Sequence, residues 1–148
     1  MNTAEDILRM FLRAVTEYDY LDYTEEELTE DFNANLEMAL LDVQFQGVME
    51  DVTLDGFGQF TRPLKRQEGY ILAHACVVMW VTPKVQSSEL LAAQLTSTDF
   101  VQFSNANRLN ACLKLLENSQ AKLNNLITDF TSLDVYTSMR KQIEDGKK

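Results

Sequence analysis

The stretch GYILAHACVVMWV, from Gly69 to Val81, is apolar on nearly every side of the helix that its pattern predicts. Such a helix is stable in water only when other helices, or neighbouring subunits, surround it. It is also shorter than the roughly 18 to 20 residues that cross a bilayer, and Arg66 and Lys84 bound it closely. The chain is therefore expected to be mainly α. The reading is a compact helical bundle around this segment, with a long C-terminal helix, a small β-hairpin or long loop near residues 48–62, and no membrane partner. At 148 residues one domain can bury its own core without a disulfide or structural metal.

Thr3 followed by Asp6 caps a first helix in which Ile7, Met10, Phe11, Ala14, Val15 and Tyr18 recur at helical spacing. Thr24 and Glu27 have the spacing of a capping box, and Leu28, Phe32, Leu36, Ala39, Leu40 and Val43 follow as one stripe ending near Gly47. Glu25, Glu26 and Glu27 fill the first turn, where the helix dipole favours negative charge. VMEDVTLDGFGQFTR, with two glycines and short β-favouring pairs, suits the hairpin or loop. Thr61 as cap and Pro63 in the first turn predict a third helix, which should stop before Pro83 because the residue preceding proline disfavours helix.

Ser87 or Ser88 then caps a short helix carrying Leu90, Leu91 and Leu95, and a break follows at LTSTDF. A long helix is expected from about Ser104 to Phe130, with Leu109, Cys112, Leu113, Leu116, Leu123, Leu126, Ile127 and Phe130 facing inward. Ser104 and Asn105 favour caps over helix interiors, and Phe100 and Phe103 would pack their joint against the core. Trp80, Pro83, Phe100, Phe103, Ser104 and Asn107 thus form an expected structural corner. Residues 1–130 read as a single helical domain and residues 131–148 as a C-terminal tail.

Charge divides the chain. Residues 1–58 carry fifteen acids and two bases, and residues 59–148 eight acids and eleven bases, within a total of −10. Proteins grip duplex DNA by setting Lys and Arg against phosphates, so an acidic body should repel it. Much of the same charge serves to solvate helix faces. Cys76 and Cys112 lie far apart among apolar neighbours and read as buried thiols, compatible with a reducing cytoplasm. The opening MNTAEDILRMFLRAV has no basic region before its apolar run, so no signal peptide is expected. His74, the only histidine, sits between two alanines and reads as a satisfied or helix-packed histidine. No nucleophile elbow, phosphate loop, dinucleotide loop, zinc helix or calcium loop occurs. Neither enzymatic activity, a cofactor nor a metal is expected.

EGYILAHACVVMWVTPKV, followed after a short helix by STDFVQFSNANRL, resembles the small helical head-to-tail adaptor (connector, head completion) proteins of tailed bacteriophages. The resemblance covers roughly Glu25 to Phe130. It rests on an acidic leucine-rich helix and on a buried helix that begins near Glu68 and ends in Met79, Trp80, Pro83 and Lys84. The corner residues Asp99, Phe100, Phe103, Ser104, Ala106, Asn107 and Leu109 complete it. It implies a homo-oligomeric ring, commonly dodecameric, assembled in the host cytoplasm and placed in the virion neck. Its partners would be the portal protein above and the next neck or tail-completion protein below, and DNA would pass through without tight binding. A head-to-tail ring needs two different complementary patches per subunit, which the acidic and basic halves could supply.

Three other readings compete with it: an acidic DNA-mimic inhibitor of a DNA-binding protein, a tail-completion or stopper protein, and a small enzyme using His74. The tail TSLDVYTSMRKQIEDGKK bears on the adaptor reading. Val135, Met139 and Ile143 recur every four residues with Tyr136 beside them, and Arg140, Lys141, Lys147 and Lys148 reverse the charge of the body. Val135, Tyr136, Met139, Arg140 and Ile143 are the candidate portal-docking residues, in a segment expected to be mobile until bound.

Overall fold

The computed structural model describes residues 2–16, 24–94 and 99–146, and within them all side chains except those of residues 16, 87–108 and 134–135. Among the described residues four helices follow in order: α1 (Ala4–Thr16), α2 (Glu25–Phe45), α3 (Arg66–Gln94) and α4 (Asp99–Gly146). The described residues contain no sheet. The helical bundle and its long last helix match the expectation from sequence.

At the start of α1 the Asp6 carboxylate accepts from the N–H groups of Asn2 (3.1 Å) and Thr3 (3.3 Å). α2 opens with a complete capping box: Thr24 Oγ1 accepts from Glu27 N–H (3.2 Å) and the Glu27 carboxylate accepts from Thr24 N–H (2.9 Å). Its buried residues are the six of the expected stripe. It closes at Gly47, whose φ of 84° lets Gly47 N–H reach Gln44 C=O and Val48 N–H reach Val43 C=O. That is the left-handed termination glycine permits at lowest cost.

Residues 48–65 form a folded loop rather than a true hairpin, with isolated bridges Leu54↔Phe60 and Thr3↔Gln59. Gln44 Nε2 donates to the carbonyls of Met49 (2.9 Å) and Val52 (2.7 Å), and Asp55 Oδ1 accepts from Phe57 and Gln59 N–H. Thr61, expected to cap α3, belongs to this loop instead: its N–H donates to Thr53 C=O and its hydroxyl accepts from Thr53 N–H.

The cap of α3 is supplied from inside the helix. Glu68 accepts from Lys65 N–H at 2.7 Å and takes both guanidinium N–H groups of Arg62 at 2.8 and 2.9 Å, while Arg62 also pairs with Asp51 at 2.6 Å. Helix α3 therefore starts at Arg66, three residues after Pro63. Burial pushes the Glu68 carboxyl up, but the Arg62 and Lys65 hydrogen bonds and the Arg62 charge hold it below its ordinary value.

Helix α3 does not stop before Pro83 but continues through it to Gln94, absorbing the short helix expected after Ser87. A proline inside a helix costs about 3 kcal/mol. Here Pro83 lies exposed, while Trp80, Val81 and Val85 on either side are buried. Breaking the helix would forfeit that packing, which is worth more. Part of the expected break, residues 95–98, lies outside the described residues, as does Tyr18.

Helix α3 is the centre of the bundle and packs against α1, α2 and α4. Ile71, Leu72, Ala75, Cys76 and Val77 are buried, and Phe11 of α1 packs between Phe32 (ring centroids 5.4 Å apart) and Trp80 (6.0 Å, edge-on). Cys76 and Cys112 are both buried and unbridged, and burial pushes the Cys76 thiol up to about 12. The segment is not enclosed on every side, however. Tyr70, His74, Val78 and Thr82, spaced by four, form its less buried face.

Helix α4 starts at Asp99, so Ser104 and Asn105 are helical interior positions and the expected corner is not there. The helix preference lost at Ser or Asn is only about 0.5–0.7 kcal/mol per residue, too little to end a helix whose following turns bury Cys112, Leu115, Leu123 and Ile127. Nor does it end at Phe130. Its 48 residues span about 72 Å at 1.5 Å per residue.

Candidate functional site

Along α4 burial ends at Ile127 and at the half-buried Phe130, over whose ring Lys65 Nζ lies at 6.0 Å. Beyond that point Leu133, Tyr136, Met139 and Ile143 are all more than half exposed. Spaced by three and four residues, they lie along one side of the helix. Tyr136, Met139, Arg140 and Ile143 are thus on the surface, as their assignment to docking requires, while the side chain of Val135 lies outside the described residues. Leu133 joins them, and the sequence pattern does not set it apart because it follows directly on the core spacing that ends at Phe130. Arg140 reaches Glu144 at 3.8 Å, an exposed pair of little energetic weight.

A second apolar surface lies on α2. Met38, Leu41 and Phe45, at i, i+3 and i+7, are exposed on the side away from the buried stripe, and Phe45 retains 89% of its surface. Glu37 and Asp42 flank them. At the tip of the 48–65 loop Phe57 is 93% exposed.

The residues expected at a corner separate. Trp80 and Lys84 join α3 to α2: the Trp80 indole N–H donates to Asp31 Oδ2 at 2.9 Å, and Lys84 Nζ lies 3.5 Å from the same oxygen and 4.6 Å above the indole ring. Pro83 is on the outer side of that turn. Phe100, Phe103, Ser104 and Asn107 are helical, and their side chains lie outside the described residues.

Where α1, α3 and α4 meet is an open cleft of about 490 Å³. Arg9 and Arg13, one turn apart on α1, form one rim and Lys122 of α4 the other. Its floor is the buried Ala73, Leu115 and Ser119, and its wall is Tyr70 and His74 of α3. The Arg66 guanidinium reaches Tyr70 Oη at 3.4 Å and lies against the ring. By that hydrogen bond and the charges of Arg66, Arg13 and Lys122 it holds the phenol below its ordinary value. His74 Nδ1 is buried and has no hydrogen-bond partner. Burial, with a contribution from Lys122, lowers the imidazole to about 4, so it is neutral near pH 7. A satisfied histidine would have a partner at each ring nitrogen, which Nδ1 lacks, and the place of His74 on this wall follows only from how the three helices meet.

No family model, curated protein or solved structure matches the chain. Among the described residues no cluster of three His, Cys, Asp or Glu side chains could hold a metal ion, and no helix is long and apolar enough to cross a membrane.

Proposed function

We propose that the protein is a head-to-tail adaptor of a tailed bacteriophage: a ring of identical subunits that docks under the portal in the virion neck and extends the DNA channel toward the tail. The observation that carries this reading is the C-terminal end of α4. It continues the helix past the last core residue and presents Leu133, Tyr136, Met139 and Ile143 to solvent. An amphipathic helix end of this kind suits insertion into a groove on a partner. Met38, Leu41 and Phe45 of α2 form a separate apolar surface on another element. With the end of α4 engaging the portal, this separate surface is available for contact with a neighbouring copy in the ring.

The net charge of −10 supports a channel that DNA traverses without sticking. A DNA mimic would use the same charge, but Met38, Leu41 and Phe45 interrupt the acids of α2 and fit a protein contact better than a phosphate imitation. The direct test is co-sedimentation of the full chain with DNA-filled, portal-containing, tailless capsids. Several copies per particle are expected. Failure to co-sediment would overturn the reading, as would equal binding to capsids lacking portal.

A further inference from the structure

We infer that the cleft between α1, α3 and α4 binds a phosphate monoester carried on a compact organic body. This rests on the cleft alone, and is independent of what the end of α4 engages.

The first ground is where the bases are. Residues 1–58 contain only two, Arg9 and Arg13, against fifteen acids. Both face this cleft, one helical turn apart, and Lys122 faces them from α4. Among the described residues no Asp or Glu lines it. Arg9 does reach Glu5 at 3.0 Å, but both side chains of that pair are about 70% exposed, and such a contact is weak and readily exchanged. Like charges placed around one opening repel each other, and a dianion between the rims relieves that repulsion. Arginine in particular matches the oxygens of a phosphate with paired N–H donors.

The second ground is the rest of the wall. The cleft has the volume of an ordinary small-molecule site, more than a bare phosphate fills. Met10, Ala14, Ala73 and Leu115 give it carbon surface, and the partly exposed ring of Tyr70 offers a flat face. The buried, unpartnered Nδ1 of His74 stands in the same wall. A neutral imidazole can donate or accept one hydrogen bond, and a polar group of the ligand would satisfy it. Tethering the anion to a body that covers this surface uses every feature of the cleft; a free ion uses only the rim.

The test is calorimetric titration of the full chain with adenosine monophosphate, phenyl phosphate, inorganic phosphate and adenosine, each against wild type and the exposed-site variants Arg13→Ala and Lys122→Ala. Saturable binding of at least one monoester is expected, weakened about tenfold or more in either variant, as loss of a charged hydrogen bond implies. Glu5→Gln, a control outside the cleft, should bind like wild type. Circular dichroism confirms that each variant is folded. Inorganic phosphate binding as tightly as the monoesters would overturn the organic body, and adenosine binding as tightly as its monophosphate would overturn the phosphate. Monoester binding unchanged in both variants, or absent at millimolar concentration, would overturn the site.

Discussion

The Trp80 indole N–H donates to the Asp31 carboxylate at 2.9 Å across a sequence separation of 49 residues. The bond holds α3 to α2 one turn before Pro83, where α3 has lost a backbone donor, and Lys84 adds its charge to the same carboxylate from the turn beyond. Trp80→Phe and Asp31→Ala should each cost about 1–3 kcal/mol, the range for hydrogen bonds to charged groups together with the packing lost. Because the two changes remove one shared contact, the double variant should cost less than the sum. Urea midpoints of the four proteins measure this, and strict additivity would show the contact to be without weight.

Glu68 is 2% exposed and anchored by Arg62. Glu68→Ala should cost about 3 kcal/mol, at the low end for breaking a buried ion pair, because Arg62 keeps Asp51 as a second partner. Asp51→Ala should cost measurably less, since Asp51 is exposed. Equal losses by chemical denaturation would place the anchor in the loop rather than at the start of α3.

Stability should fall in acid in two stages. Burial holds His74 at about 4 in the folded protein against 6.5 for an ordinary imidazole, so between those values the unfolded chain binds a proton that the folded chain refuses. The contribution is complete above 6.5 and is lost as pH falls toward 4. Tyr70, Arg13 and Lys122 line the same cleft as the imidazole. Glu68, Asp51 and Asp6 are held below their ordinary carboxyl values, so their contributions persist through this window and disappear at lower pH. Comparing urea midpoints at about pH 7.5 and about pH 5 isolates the first stage. His74→Gln should reduce the difference, and an unchanged difference would assign it to other groups.

Gly47 has φ +84°, and a Cβ built on it meets nothing within 4 Å. Gly47→Ala should therefore cost about 1 kcal/mol purely through the left-handed backbone. A loss several times larger in thermal denaturation would mean that the α2 terminus depends on more than this one conformation.

Helix α2 was legible in full because its information is local. Thr24 and Glu27 are three residues apart, and Leu28 to Val43 repeat at one spacing. The central place of the Gly69–Val81 segment was legible for the same reason. Helix ends governed by tertiary packing were not. Pro83 and the Ser104–Asn105 pair carry real local preferences against helix, and the burial of Val85 on one helix and Cys112 and Leu115 on the other outweighs them. The start of α3 was misplaced because Glu68 competes with Thr61 for the capping role, and only the fold brings Arg62 to Glu68. The basic cleft was invisible for a related reason. Arg9 and Arg13 share a helix face in any reading of α1, but nothing in their spacing brings Lys122, more than a hundred residues later, opposite them.

The adaptor reading assigns docking to the end of α4, and deleting residues 132–148 tests that assignment most directly. Core burial on α4 ends at Ile127 and Phe130, so the shortened protein should keep its circular dichroism and nearly its full melting temperature. It should no longer co-sediment with DNA-filled, portal-containing, tailless capsids that bind the full chain. A folded, shortened protein that docks as well as the full chain would contradict the account.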